Sequence, residues 1–280
     1  MTSNDAVAQA RSLLFVPGNR PERFLKAAQS GADAVILDLE DAVPLAEKAS
    51  ARQAIQQQWP QLLALDVPLV VRTNAADSAA WPLDLAVLAA LPRLAAVMVP
   101  KAESAETLQQ AHTALAGVAV LPLVESAAGW DALPRIAAAP GVLRLALGHI
   151  DFMADTELQC SDDERELAPL RFAIAMATRL QRLAPAIDGV TVAIDDAARL
   201  REDTQRALRF GFGAKLCIHP RQVTGVHEAM APSAAELDWA RRVIAADAAA
   251  AGAAVQLDGR MVDAPVVLQA RRTMARAGRA

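Results

Sequence analysis

A closed (β/α)8 TIM-type barrel followed by a C-terminal helix–hairpin–helix extension is the fold this sequence predicts. Three observations predict it. Short β-rich apolar runs alternate with alanine-rich helical segments almost to the end of the chain. Eight such units can be counted, the number that closes a barrel. Polar or charged residues recur at the downstream ends of the runs, and in a barrel those ends all open on one face. The runs are 13–16, 34–39, 69–72, 95–99, 118–124, 142–147, 189–194 and 214–218. They are continuous rather than alternating, as strands covered on both faces are. Segments 20–30, 46–58, 102–116 and 163–183 read as the helices between them. An open doubly wound sheet is the competing architecture. Residues 17–19 (PGN) after the first run do not match the G-x-G-x-x-G phosphate fingerprint such a sheet would carry there.

Beyond the eighth unit the pattern changes, so the chain divides into a barrel, 1–231, and an extension, 232–280. Ser233 followed three residues later by Glu236 has the capping-box spacing and opens a helix to about residue 251. Asp258-Gly259 between the short runs 255–257 and 260–262 is a hairpin signal. Asp263 then stands as the N-cap of a last helix. Such an extension is placed to cover the barrel mouth or to reach a neighbouring subunit.

Composition narrows the functional classes. The chain has 280 residues, of which 54% are hydrophobic and 21% charged, enough for one large buried core and too apolar for the disordered class. The net charge of −4 with scattered arginines argues against a nucleic-acid partner. No apolar run reaches the ~20 residues of a membrane span. Residues 1–10 are polar, with no basic segment leading into an apolar one, so they do not read as a signal peptide. The two cysteines, Cys160 and Cys217, form no metal-ligand spacing, and a reducing cytoplasm is the expectation.

The residues able to carry chemistry lie at the strand ends. Glu125 and Asp151 each follow an apolar run on consecutive units, so their carboxylates can converge. Two carboxylates completed by water and a substrate oxygen make a normal Mg²⁺ site. Each could instead cap the helix that follows. Arg72 ends the third run, where a guanidinium can grip a substrate carboxylate by a planar pair of hydrogen bonds. It could also form an ion pair with Glu40 or Asp41 on the neighbouring strand, and both readings can hold together. Glu40 and Asp41 can reach the metal through its bound water, or Asp41 can cap a helix. Asp38, facing oppositely to Leu39, reads as structural. Lys101 is a strand-end candidate for a Schiff base but sits in a turn-like Pro100-Lys101-Ala102. His149 can contact substrate, and His219 before Pro220 reads as a turn residue.

Five segments in order, 14–18 (LFVPG), 32–44 (ADAVILDLEDAVP), 71–74 (VRTN), 99–101 (VPK) and 215–220 (KLCIHP), resemble the citrate lyase β-subunit-like proteins of the HpcH/HpaI aldolase superfamily. The resemblance spans about residues 11–276. It implies a TIM barrel, Mg²⁺, and cleavage of a 3-hydroxyacyl thioester (malyl, citramalyl or citryl) into an acyl thioester and an oxo acid. It matches Glu125 and Asp151 to the metal ligands and Arg72 to the carboxylate-binding arginine. Residues 259–265 (GRMVDAP) resemble the C-terminal motif whose aspartate, here Asp263, acts as acid/base in a neighbouring subunit's site. A homo-oligomer, trimer or hexamer, is implied with it. Two departures stand beside the proposed metal. His149 and Ile150 occupy places where small and acidic residues are frequent, and 152–158 (FMADTEL) lacks the family's glycine-containing turn. A hydroxyacyl-CoA thioesterase on the same site, an aldolase for free hydroxy-oxo acids and a non-catalytic barrel subunit are the alternative expectations.

Overall fold

The computed structural model describes residues 3–250 and 254–278. The chain forms two compact units, Met1–Val226 and His227–Ala280. Among the described residues of the first, eight parallel strands close into a barrel in sequence order: β1 (Ser12–Pro17), β2 (Ala34–Asp38), β3 (Leu69–Arg72), β4 (Ala96–Val99), β5 (Ala119–Val124), β6 (Ala146–Leu147), β7 (Ile187–Asp188) and β8 (Ala214–Cys217). Closure is made by β8 on β1, where Leu13 pairs with Leu216 and Leu14 with Cys217. Parallel neighbours cannot be joined by a tight turn, so each connection crosses over through helix. The longest of these crossovers, Lys48–Leu62, Ala168–Leu180 and Ala197–Arg209, bury Ile55 and Trp59, Ile174, and Leu200 and Ala207 against the sheet.

Side chains on a strand alternate between faces, and this places the site. Ala34 and Ile36, Val70, and Leu121 and Leu123 fill the barrel interior together with Leu13, Met98 and Leu216. The next inward positions toward the downstream end are Asp38 after Ile36, Arg72 after Val70, and Glu125 after Leu123. The interior thus changes from aliphatic to charged within one residue pair of each strand end. At the opposite end the helix Ser3–Gln9 leads into the core through Val7 and Ala10. Buried Arg144 ties that end down by donating to the Val7 and Ala10 carbonyls at 2.8 Å and to Pro185 O at 2.7 Å.

The seventh strand differs from the sequence expectation of 189–194. The pairing residues are Ile187, opposite Ala214, and Asp188, opposite Lys215. Val192 and Ile194, which read as core, are 64% and 40% exposed. The cause is the ion cluster at the end of β7. Asp188 accepts from Arg171 Nε at 3.1 Å and from Lys215 Nζ at 3.3 Å, while Lys215 also donates to Gly189 O at 2.8 Å. Those bonds anchor the chain two residues earlier than its apolar run would. The sixth strand is likewise shorter than 142–147, its upstream part reduced to a single bridge between Val142 and Val120.

The second unit has its own small core of Ala240, Val243, Val262, Val267 and Ala270. Ser233 and Glu236 form the expected reciprocal capping box, and the helix they open is Ala234–Ala249. The expected helix end near residue 251 lies outside the described residues. Asp258 (φ 49°) and Gly259 (φ 76°) turn the chain between the antiparallel strands β9 (Val255–Leu257) and β10 (Arg260–Val262). Two consecutive positive φ values are the twist-matched type I′ geometry. Asp263 Oδ1 accepts from Val266 N at 3.4 Å and so caps the helix Ala264–Ala277.

Candidate active site

Arg72 is the cation at the centre of the barrel's downstream end. Its Nε and Nη2 each donate at 2.6 Å to the two oxygens of Asp38, a planar two-pronged pair buried at the strand ends. Its Nη1 lies 2.8 Å from Glu40 Oε2 and 3.6 Å from Asp41 Oδ2. The Glu40 approach is an ion pair without hydrogen-bond alignment, since Glu40 Oε2 accepts no hydrogen bond from any described residue. Nη1 is therefore held by charge alone, without an aligned hydrogen bond. Arg72 Cζ lies over the Phe15 ring, 4.8 Å from the ring centroid. Burial opposes the charge on Arg72, and the Asp38 charge and hydrogen bonds overcome it, so its pKa rises above the ordinary guanidinium value. The ion pairs to Glu40 and Asp41 read from the sequence exist, but Asp38 is the principal partner. Lys48 supports the same turn, donating from Nζ to Leu39 O at 2.7 Å and Glu40 O at 2.6 Å.

Glu125 stands across from this cluster at the end of β5. Oε1 accepts from Lys101 N at 2.8 Å, which explains the left-handed backbone (φ 44°) that turns that N–H inward. Oε2 is buried and has no hydrogen-bond partner among the described residues. Glu125 is not a helix cap: Ser126 caps the helix Ala127–Asp131 by accepting from Gly129 N. Asp151 is not a cap either. It lies in the first turn of the helix His149–Thr156, whose N-cap is Gly148. Burial pushes the Glu125 carboxyl up to about 7, with the Asp151 and Asp41 charges adding to it and the Lys101 N–H and Arg72 opposing it. Burial, with the Glu125, Asp41 and Asp38 charges, likewise raises Glu40 to about 8 against the pull of Arg72.

Gly148 is what lets these units meet. A Cβ on it would stand 2.4 Å from Glu125 Oε2 and 2.6 Å from Glu125 Cβ. Gly148→Ala should therefore shift Glu125 and lower kcat/KM roughly 10- to 100-fold, with a stability loss of about 1–3 kcal/mol typical of overpacking. Unchanged kinetics in that variant would show that the Glu125 position is not critical.

A pH dependence follows from the two raised carboxyls. Both bind a proton more tightly in the folded chain than in the unfolded one, whose ordinary value is 4.5. The stability this contributes is fully present below about pH 4.5 and is lost as pH rises through about 7 and 8. Without divalent ions, thermal stability should fall across that window by on the order of 3 kcal/mol for Glu125 alone. Thermal melts of wild type and Glu125→Gln between pH 4.5 and 8.5 check this, the variant having the flatter profile.

His149 is buried on the β7 side. Its Nδ1 stands where a Cβ of Gly189 would be, 2.1 Å away, and has no hydrogen-bond partner among the described residues. Burial, with Lys215 and Arg171, pushes its pKa down against Glu164 and Asp188. Asp263 belongs to the second unit, as described above. His219 lines a cavity of about 620 Å³ with Phe15, Pro17, Arg23, Lys26 and Arg221. Phe15 joins that cavity wall to Arg72. The departure at 152–158 is accommodated by Glu157, which takes the left-handed position (φ 58°) that glycine usually fills after a helix.

The fold and these strand ends define a (β/α)8-barrel protein with an acidic, arginine-centred mouth. Residues 11–220 match the HpcH/HpaI aldolase/citrate lyase family. The chain is 39% identical over 278 residues to a citrate lyase subunit beta-like protein of Mycobacterium tuberculosis, with 95% of each chain covered. It is 31% identical over 270 residues to a (3S)-malyl-CoA thioesterase of Cereibacter sphaeroides, covering 95% of this chain and 94% of that one. A crystal structure of CitE from Mycobacterium tuberculosis, in complex with magnesium, acetoacetate and coenzyme A, has a TM-score of 0.85 and 38% identity, over 97% of this chain and 99% of that one. This chain belongs to the HpcH/HpaI aldolase/citrate lyase family.

Proposed function

We propose that this chain is a Mg²⁺-dependent carbon–carbon lyase that splits a 3-hydroxyacyl-CoA of malyl, citramalyl or citryl type into an acyl-CoA and an oxo acid. The observation that carries the reading is the buried, unpartnered Oε2 of Glu125, held rigid through Oε1 by the Lys101 N–H. A hard divalent cation satisfies such an oxygen, and Asp151 supplies a second carboxylate from the next strand unit. These residues fit Mg²⁺, and Glu125 and Asp151 would hold it. Bound there, Mg²⁺ supplies Lewis-acid polarisation of the oxygen that becomes the oxo group.

The chain's own groups do the rest. Arg72, fixed by Asp38, offers Nη1 to the substrate carboxylate and keeps it ionised. Arg23, Lys26 and Arg221 line the adjoining cavity with cationic groups suited to the phosphates of a CoA carrier. As the carbon–carbon bond breaks, the substrate hydroxyl gives up its proton and becomes the oxo group, while the bond's electron pair passes into the thioester as an enolate. The reaction as a whole thus moves one proton from that hydroxyl to the α-carbon. Asp263 from a neighbouring subunit's extension protonates the α-carbon of that enolate, which requires a homo-oligomer. Run backwards, the same groups perform a Claisen-type condensation.

A second reading, hydrolysis of the hydroxyacyl thioester on the same site, is favoured by the likeness to the malyl-CoA thioesterase. A coupled assay with malyl-, citramalyl- and citryl-CoA, with and without Mg²⁺, separates the two by following oxo acid and free CoA. Oxo acid formed only with Mg²⁺ supports the lyase and identifies its substrate. Free CoA without oxo acid establishes the thioesterase, and no turnover of any thioester overturns both. Asp263→Asn should lower lyase turnover by on the order of 10²-fold, the usual worth of a positioned acid or base, with the carboxylate-binding KM little changed.

A further inference from the structure

Glu125 and Asp151 sit on consecutive strand units, and two hydrogen bonds tie those units together on either side of them. The first closes the strand ends, where Gly148 N donates to Val124 O at 3.0 Å. The second lies past both strands, where Ala127 N donates to Asp155 Oδ2 at 2.7 Å. With the chain between them, the two bonds close a ring. Val124, Glu125 and Ala127 form one side of it, and Gly148, Asp151 and Asp155 the other. Both candidate metal ligands are members of that ring. Asp155 stands one turn beyond Asp151 in the helix His149–Thr156, so the two share a face.

The second bond answers a local need. Ala127 is the first residue of the helix Ala127–Asp131, and its N–H has no acceptor within that helix. The capping Ser126 does not serve it, because its hydroxyl accepts from Gly129 N at 3.0 Å and donates to Glu103 Oε1 at 2.6 Å. Ala127 and Asp155 are both exposed, so water can serve the N–H as well, and the bond adds little to the fold. A carboxylate from the next unit makes a short, charge-assisted bond there instead. Its consequence is spacing. On the β4 side the helix is already fixed, since a Cβ on Gly129 would stand 2.8 Å from Ala102 O. Asp155 fixes the β6 side. Mg²⁺ demands a near-ideal octahedral oxygen shell, so its affinity is sensitive to the spacing of the carboxylates that hold it.

We propose that Asp155 is a positioning residue of the metal site, its bond to Ala127 N setting the distance between Glu125 and Asp151. The proposal rests on the reading of those two carboxylates as the Mg²⁺ ligands. It is tested by isothermal titration of the full chain with Mg²⁺, for wild type, Glu125→Gln, Asp155→Ala and Asp155→Asn, with melting temperatures measured in EDTA. Asp155→Ala should weaken Mg²⁺ binding about 10-fold, the lower end for a group that orients a metal ligand. Its melting temperature in EDTA should stay near that of wild type, because the bond lost is exposed. A merely structural residue would do the opposite, lowering the melting temperature and leaving the affinity alone. Asp155→Asn keeps an acceptor oxygen for Ala127 N without the charge, and should recover the affinity to within about threefold of wild type. Wild-type affinity in Asp155→Ala overturns the proposal. So does an equal loss in Asp155→Ala and Asp155→Asn, which would mean that the charge acts and the hydrogen bond does not. In both cases a Glu125→Gln variant that fails to bind Mg²⁺ shows that the metal reading itself stands. No Mg²⁺ binding by wild type, or unchanged binding by Glu125→Gln, overturns that reading and the role of Asp155 with it.

Discussion

Glu125→Gln should abolish turnover while leaving the fold intact or slightly firmer. In the wild type a carboxylate is buried with one oxygen bonded to the Lys101 N–H and the other unpartnered. Burying an ionised group without a partner is costly, and the raised pKa of about 7 expresses that cost. The amide keeps the shape, and its carbonyl can keep the Lys101 bond, but it carries no charge to hold a cation. We expect kcat/KM to fall by at least ~10³-fold, about 4 kcal/mol of transition-state stabilisation. Isothermal titration with Mg²⁺ should show the binding heat lost. The metal-free variant should match or exceed the melting temperature of wild type above pH 7, where the wild-type carboxylate is ionised. A variant that retained wild-type turnover, or that lost Mg²⁺ binding only because it unfolded, would contradict this assignment.

The features that were legible in the sequence are those where one residue type dominates its local physics. A buried strand ended by an acid, as in β5 with Glu125, cannot continue into the apolar interior, so the acid marks the mouth. The Asp-Gly pair at 258–259 had only one inexpensive backbone solution, the two left-handed residues now seen there. Two other features depended on partners distant in sequence. Strand β7 was displaced because Arg171 and Lys215 grip Asp188, 17 and 27 residues away along the chain. An apolar run such as 189–194 carries no sign of that grip. Gly148 carries no sequence signal of its role, because only the position of Glu125 gives its missing Cβ a meaning. Asp38 is a different case, because its signal was present. Residues 34, 36 and 38 share one face of β2, and the first two are core, so the third had to meet its ion partner inside the barrel.

That partnership makes Asp38→Asn the variant with the largest expected cost to stability. Asp38 accepts both prongs of Arg72 at 2.6 Å, and its Oδ1 also accepts from Glu40 N at 2.9 Å. The amide can accept with one atom only and turns its NH₂ group toward a cation. Arg72 is then a buried charge without its main counter-ion, a defect worth about 3–5 kcal/mol when one partner of a buried pair is removed. The remaining acids soften the loss. Glu40 and Asp41 already lie 2.8 and 3.6 Å from Nη1, and the guanidinium would swing toward them. That movement takes up the edge proposed to receive the substrate carboxylate. Two readouts should therefore change together: denaturant midpoint down by the equivalent of about 3 kcal/mol or more, and KM for the hydroxyacyl substrate up at least ~10-fold. Arg72→Lys should raise KM similarly with a smaller loss of stability, because the compact ammonium still neutralises Asp38 but cannot make the planar pair. A destabilised Asp38→Asn protein with an unchanged KM would mean that Arg72 only holds the strands together and never meets the substrate.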